Sequence, residues 1–233
     1  MTLSRKEGTF VNKLNIKTNE LFEVVPWYLQ NLFGASKYPW EILPKIKEIV
    51  ANFIENGIEG YTLLEEGILV GENVKIAKTA TICAPAIIGH NTEIRPGAYI
   101  RGNVIIGEHC VIGNSSEFKN CILLDYVQCP HYNYVGDSIL GFHAHTGAGT
   151  ECSNLKSDGK NIVIHGDKEY ETGLRKIGAF VGDYGDCGCN AVLNPGTIIG
   201  KHTQVYPLTR ARGVYPENSI VKDTNVVVER RKK

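Results

Sequence analysis

No stretch of this chain approaches the ~18 consecutive apolar residues that a membrane-spanning helix needs. Its opening, MTLSRKEGTF, also lacks the apolar core of a secretion signal. Neither sign of charge is in excess, with Lys+Arg and Asp+Glu at 25 each. That leaves no basic surplus to attract nucleic acid or an anionic membrane. The seven cysteines are odd in number and never form CxxC, and Cys187-Gly-Cys189 is too tight for an ordinary zinc clip. These absences lead to the expectation of a cytoplasmic protein whose thiols are small, buried and reduced.

What the chain does have is a period. Ile76, Ile82, Ile88, Ile94, Ile100, Ile106, Ile112 and Phe118 follow one another at intervals of six. Helices repeat at 3.6 and simple strands at 2, so neither explains a sustained six. Glycine often follows the apolar residue, as in IIGHNT and IIGEHC. This hexapeptide repeat is the signature of a parallel β-helix. Each hexapeptide is one flat strand plus a corner, and three make a triangular coil. Its inward residues stack at about 4.8 Å, the strand-to-strand spacing. One repeat cannot bury its own apolar face, but a column can. After Phe118 the period loosens through Val135, Leu140 and Thr146, and it resumes as Val181, Cys187, Leu193, Ile199 and Val205. Between them the polar run 152–176 reads as a loop that leaves the column, and long excursions from a rigid scaffold tend to carry function.

The expected organisation is a helical N-terminal region at 1–66, a mainly β parallel helix at 67–223 and a tail at 224–233. In the first region Ile42, Leu43, Ile46, Ile49, Val50, Phe53 and Ile54 recur at three and four, an amphipathic helix ending near Asn56-Gly57. A shorter helix is expected over 21–33. The role expected of this region is to cover the open end of the column, where strand edges would otherwise be unpaired.

The chemistry-bearing stretch runs Glu117-Phe118-Lys119, then His131-Tyr132-Asn133-Tyr134-Val135-Gly136-Asp137, then Gly147-Ala148-Gly149-Thr150. With the hexapeptides, it resembles the left-handed β-helix acyltransferases. In particular it resembles the acetyltransferase half of the bifunctional enzymes that make UDP-N-acetylglucosamine, over about residues 70–222. The resemblance implies a homotrimer that acetylates an amino sugar phosphate, such as glucosamine-1-phosphate, from acetyl-CoA. It implies His131 as the proton acceptor, with Glu117 holding its imidazole. It implies Lys119 and an arginine on the phosphate, Tyr134 and Asn154 on the sugar, and Lys160 closing over the phosphate from the loop. Arg95 carries the family's Arg-Pro-Gly motif, whereas Arg101 stands eighteen residues before Lys119, one full coil, and both remain candidates. His145 occupies a position that is usually asparagine, which bears on which sugar is accepted. For the coenzyme, Cys189 falls where the family has a serine near the thioester. Tyr206 and Pro207 fall along the pantetheine, and Arg210 and Arg212 near the phosphates. The family's nucleotidyltransferase half has no counterpart in residues 1–66, whose only glycines are the isolated Gly8, Gly34, Gly57 and Gly60. Uridylyl transfer is therefore not expected.

Two other readings compete. Carbonic anhydrases of this fold bind zinc through histidines, and His143 and His145, read as sharing one strand face, suit a metal pair beside His131. The surrounding residues match the acetyltransferase instead, so no metal site is expected. A non-catalytic β-helix that serves only oligomerisation is the third reading; the presence of His131 and Glu117 counts against it.

Overall fold

A residue that recurs every sixth position faces the same way on each side of a triangular coil, and the computed structural model, which describes residues 14–230, shows that triangle. Nine-stranded, nine-stranded and seven-stranded sheets form its first, second and third faces, and successive coils pair in parallel. The architecture is thus mainly β, a parallel β-helix with short N-terminal helices. On the third face, Ile82, Ile100, Phe118, Val135, Cys152, Leu193 and Ala211 lie in one inward column. Ile94, Ile100, Ile106, Ile112 and Phe118 are fully buried, whereas Ile76, at the open end, is 37% exposed.

The period loosens because two coils are each one residue short. Phe118 pairs with Val135 and Leu123 with Leu140, a spacing of seventeen rather than eighteen. Both shortened corners join the third face to the first, and they place Asn120 and Asp137 at φ +47°. Asn and Asp tolerate that left-handed conformation better than most residues. Five cysteines (Cys110, Cys121, Cys129, Cys152 and Cys187) are buried in the column or beside it, and burial pushes the Cys129 and Cys152 thiols up to about 12. Those thiols stay protonated and inert at neutral pH. Cys189 is exposed.

The N-terminal helices, α1 (Thr18–Leu21), α2 (Gln30–Ala35) and α3 (Ile46–Asn56), do not cover the open end. They lie along the outside of the first face, packed on Leu69, Ile87, Ile105, Ile122, Ile139, Phe180 and Ile198. First-face strands such as Ile68–Val70 and Val104–Ile106 are apolar on both sides, as a sheet covered on both faces must be. The expected helix over 21–33 starts only after Pro26, as a 3₁₀ turn Trp27–Leu29 that runs directly into α2, because the proline ring suits the entry to a helix and not its interior. In the longer helix, Pro44 confines the first turn to a tight 3₁₀ turn, so α3 begins at Ile46; it ends at Gly57, φ +77°.

The excursion after Cys152 also packs against the helices. It contains an antiparallel hairpin, Val163–His165 with Glu169–Glu171. Ile162, Ile164 and Ile177 are fully buried in the layer between the helices and the first face. Tyr170 packs edge-on against Tyr38 and Trp40. Much of the loop therefore clamps the helices to the column. The ends of the column are finished by reversed strands: Thr62–Glu65 pairs antiparallel with Ile68–Val70, and Val226–Glu229 with Ser219–Asp223.

Along the edge between the first and second faces runs a ladder of rings. His109, Tyr126, His143, Tyr184 and His202 occupy successive coils, each with φ between +54° and +61°. Their rings stack within 12° of parallel, at 4.7 Å except for 5.5 Å between His143 and Tyr184.

Candidate active site

On a β-helix, an outward residue touches the residue one coil away, so sequence spacing becomes proximity. The outward row of the third face holds Tyr99, Glu117, Tyr134 and Glu151 on consecutive coils. Arg101 and Lys119 follow two residues on, at the edge with the first face. Arg101 Nη1 donates to Glu117 Oε1 at 2.6 Å. One coil on, Lys119 Nζ lies 3.6 Å from Asp137 Oδ2. The Asn154 amide donates to the same Asp137 oxygen at 2.6 Å and to the Tyr134 hydroxyl at 3.1 Å. Asn120 donates to the other Asp137 oxygen at 2.8 Å. Asp137 is 4% exposed, so its carboxylate is the buried anchor of a polar cluster that brings together Arg101, Lys119, Tyr134 and Asn154. Asp137 was not among the expected site residues, although it closes the motif that named Tyr134.

The chemistry of this patch follows from what each group has left to give. Tyr134 accepts from Asn154, which leaves its own O–H free to donate outward. Burial, then the Asp137 and Glu117 carboxylates, holds that phenol above its ordinary pKa, so it is a donor at neutral pH. Arg101 and Lys119 each use part of their donor capacity on a carboxylate and keep the remainder for an incoming anion.

Arg95 is not part of the cluster. It lies on the second face and pairs with Glu93 at 3.4 Å; the coil register, not the Arg-Pro-Gly motif, picks out Arg101. The expected pairing of Glu117 with His131 is also corrected, because Arg101 holds that carboxylate. His131 sits at the edge between the second and third faces, exposed, and among the described residues no hydrogen-bond partner holds its ring. Asn133, buried beneath, accepts the His131 backbone N–H at 3.2 Å and donates to Gly147 O at 2.8 Å, which fixes the corner that presents His131. Lys160 is exposed in the loop, and its backbone N–H donates to Asp158 Oδ1.

The residues expected on the coenzyme divide. Cys189 and Pro207 continue the edge row that His131 and Ala148 begin, as the coil-to-coil bonds show. Beside that row runs a strip without protruding side chains. A Cβ at Gly147 would come within 2.7 Å of Cys189 N, and one at Gly188 within 2.5 Å of Pro207 N. Tyr206 closes the strip at its far end, its ring 6.0 Å from Lys222 Nζ. Arg210 lies elsewhere, on the third face level with Val192. Arg212 lines a pocket of about 420 Å³ with Lys156, His165 and Asn194.

His143 and His145 do not share a face. His143 is a corner residue stacked between Tyr126 and Tyr184, whereas His145 stands on the second face with Nδ1 2.8 Å from Asp186 Oδ1. Among the described residues, no three His, Cys, Asp or Glu side chains converge as a metal-ligand set. None of the described helices is long and apolar enough to cross a membrane.

Residues 82–169 match the family model described as the GMPPB C-terminal domain. The chain is 33% identical over 174 residues to a bifunctional sugar-1-phosphate nucleotidylyltransferase/acetyltransferase of Sulfurisphaera tokodaii, covering 72% of this chain and 43% of that protein. It is 33% identical over 179 residues to the bifunctional protein GlmU of Methanocaldococcus jannaschii, covering 76% and 41%. The chain thus spans about half the length, or less, of these curated relatives. Among solved structures it is similar to AntD, an N-acyltransferase from Bacillus cereus, with a TM-score of 0.44, 17% identity and coverage of 76% and 92%. The resemblance read from the motifs is to the acetyltransferase part of such bifunctional proteins.

Proposed function

We propose that the chain is a sugar N-acyltransferase that moves an acetyl group from acetyl-CoA to the amine of an amino sugar phosphate. The observation that carries this reading is the third-face cluster. Arg101 and Lys119 offer charge-assisted donors to a phosphate. Tyr134 offers a free hydroxyl, and Asn154 fixes it. This is a site for a small polyol bearing an anion. The bare strip between the His131–Cys189 edge and the second face suits an extended, flexible arm, and pantetheine is one. The curated relative from Sulfurisphaera tokodaii carries an acetyltransferase in its name, which supports the same chemistry.

In this reading His131 accepts a proton from the attacking nitrogen, a role worth about 10²–10⁴-fold in rate. The tetrahedral intermediate carries an oxyanion, best met by a backbone N–H or a nearby hydroxyl. The decisive experiment offers the purified protein acetyl-CoA with a panel of glucosamine-1-phosphate, galactosamine-1-phosphate and the unphosphorylated sugars, and follows free thiol. Turnover confined to the phosphorylated amino sugars is the expected result; thiol release that no amine accelerates would overturn it.

A further inference from the structure

His145, Asp186 and Gln204 stand on three successive coils in one outward row of the second face. The His145 Nδ1–Asp186 Oδ1 distance is 2.8 Å, and the Gln204 amide donates to the other Asp186 oxygen at 3.4 Å. With Nδ1–H donated to a carboxylate, a neutral imidazole turns its Nε2 lone pair outward, the arrangement of an oriented base. The side chains are 41% and 44% exposed, so the pair is open to a ligand. His145 draws the Asp186 carboxyl below its ordinary pKa, which keeps it ionised. The groups around the pair are few. Gln128 lies one coil below His145 and Gln204 one coil above Asp186, both neutral. Arg230 acts on Asp186 through space. Lys222 and Glu229 stand farther up the same flank, around a groove that Gln204 and Arg230 line together with Lys201, His202 and Glu217. A neutral imidazole backed by a carboxylate is a negatively charged pair, and it attracts an ammonium ion.

This matters because an amino sugar is largely an ammonium ion at neutral pH, and N-acylation removes two protons from that nitrogen. The first must leave before the lone pair can attack. The second leaves as the N–C bond forms. We propose that the His145–Asp186 pair binds the substrate ammonium and takes the first proton, while His131 takes the second; the proposal rests on the acyl-transfer reading. The C–S bond then breaks, coenzyme A leaves as thiolate and takes a proton from the His131 imidazolium, and His145 returns its proton to solvent. The products are one amide, one thiol and one released proton. The helices cover the first face, and in a ring that closes through the two uncovered faces the second face of one copy would meet the third face of the next. Such packing would carry the His145 row toward the neighbouring cluster of Tyr134 and Lys119.

The test is the pH dependence of kcat/KM for the phosphorylated amino sugar, from pH 6 to 9.5, in the intact oligomer. His145→Asn is expected to lose about 10²-fold at pH 6.5, within the range for a lost proton acceptor. The loss should shrink to within about threefold at pH 9, where solvent supplies the free amine. Asp186→Asn should shift the profile the same way by less. His145→Gln, which keeps a hydrogen-bonding side chain but no titrating nitrogen, should repeat the His145→Asn profile and guards against one misfolded variant. His131→Ala should fall at every pH. A loss for His145→Asn that is equal at all pH values, or absent, overturns the proposal in favour of a merely positional residue. No amine-dependent thiol release by the wild type would instead remove the acyl-transfer reading, and this proposal with it.

Discussion

At the scale of single residues, the third-face cluster divides its work between anchors and contacts. Asp137 is the anchor: buried, it accepts from Asn120 and Asn154 and faces Lys119. Lys119 is a contact, 30% exposed, with ammonium hydrogens to spare. Lys119→Ala should therefore raise the KM for the sugar phosphate by about 10–100-fold, the worth of a charge-assisted hydrogen bond to an anion at about 1.5–3 kcal/mol. The KM for acetyl-CoA should stay within about twofold, because the bare strip lies at the other edge of the face. Steady-state kinetics with each substrate varied separately decides the matter; an equal rise in both constants would mean that Lys119 supports the fold rather than the sugar phosphate.

At the scale of elements, the ring ladder shows how a corner is held. Tyr184 adopts φ +58° and stacks between His143 at 5.5 Å and His202 at 4.7 Å. A non-glycine residue in the left-handed region is strained by about 1–2 kcal/mol, and stacking is worth about 0.5–1.5 kcal/mol per pair. Tyr184→Ala keeps the strain and loses both stacks. Tyr184→Gly loses the stacks but sheds the strain, so its urea midpoint should lie above that of Tyr184→Ala. The reverse order would mean that the corner is not held by its backbone conformation.

Spacing explains what could be read in advance and what could not. The inward column was legible because coils of eighteen repeat the hexad. Arg101 was legible beside Lys119 for the same reason. Asp137 and Asn154 were harder to pair, because they meet across a coil of seventeen. His145 and Asp186 are adjacent in space yet 41 residues apart, since the whole excursion intervenes. The position of the helices was misjudged although Leu69, Ile87 and Ile105 carry the signal. An apolar residue between two inward ones marks a face that something must cover, and a six-residue period says nothing about that middle position. Ile162 and Ile164 gave the same warning inside the loop, hidden by polar neighbours.

At the scale of the whole molecule, one covered flank leaves two open ones. Two unlike faces repeated around an axis close into a ring, and a trimer is expected. Sedimentation equilibrium at micromolar concentration should give three times the chain mass. A monomer would remove the packing of second face on third face and, with it, the proximity of His145 to the neighbouring third-face cluster.

The two reversed strands bear on a different question. A column of parallel coils is in principle a polymerisation template, since each coil offers the next a ready set of unpaired backbone groups. Extension from either end needs three parallel edges in register. At one end the first face is closed by Thr62–Glu65, and at the other the second face is closed by Val226–Glu229, both running backwards. Among the described residues each end therefore keeps at most two parallel edges out of three, so a second column cannot stack on all three in register. The same hydrogen bonds that finish the fold keep it a discrete particle rather than the seed of a filament.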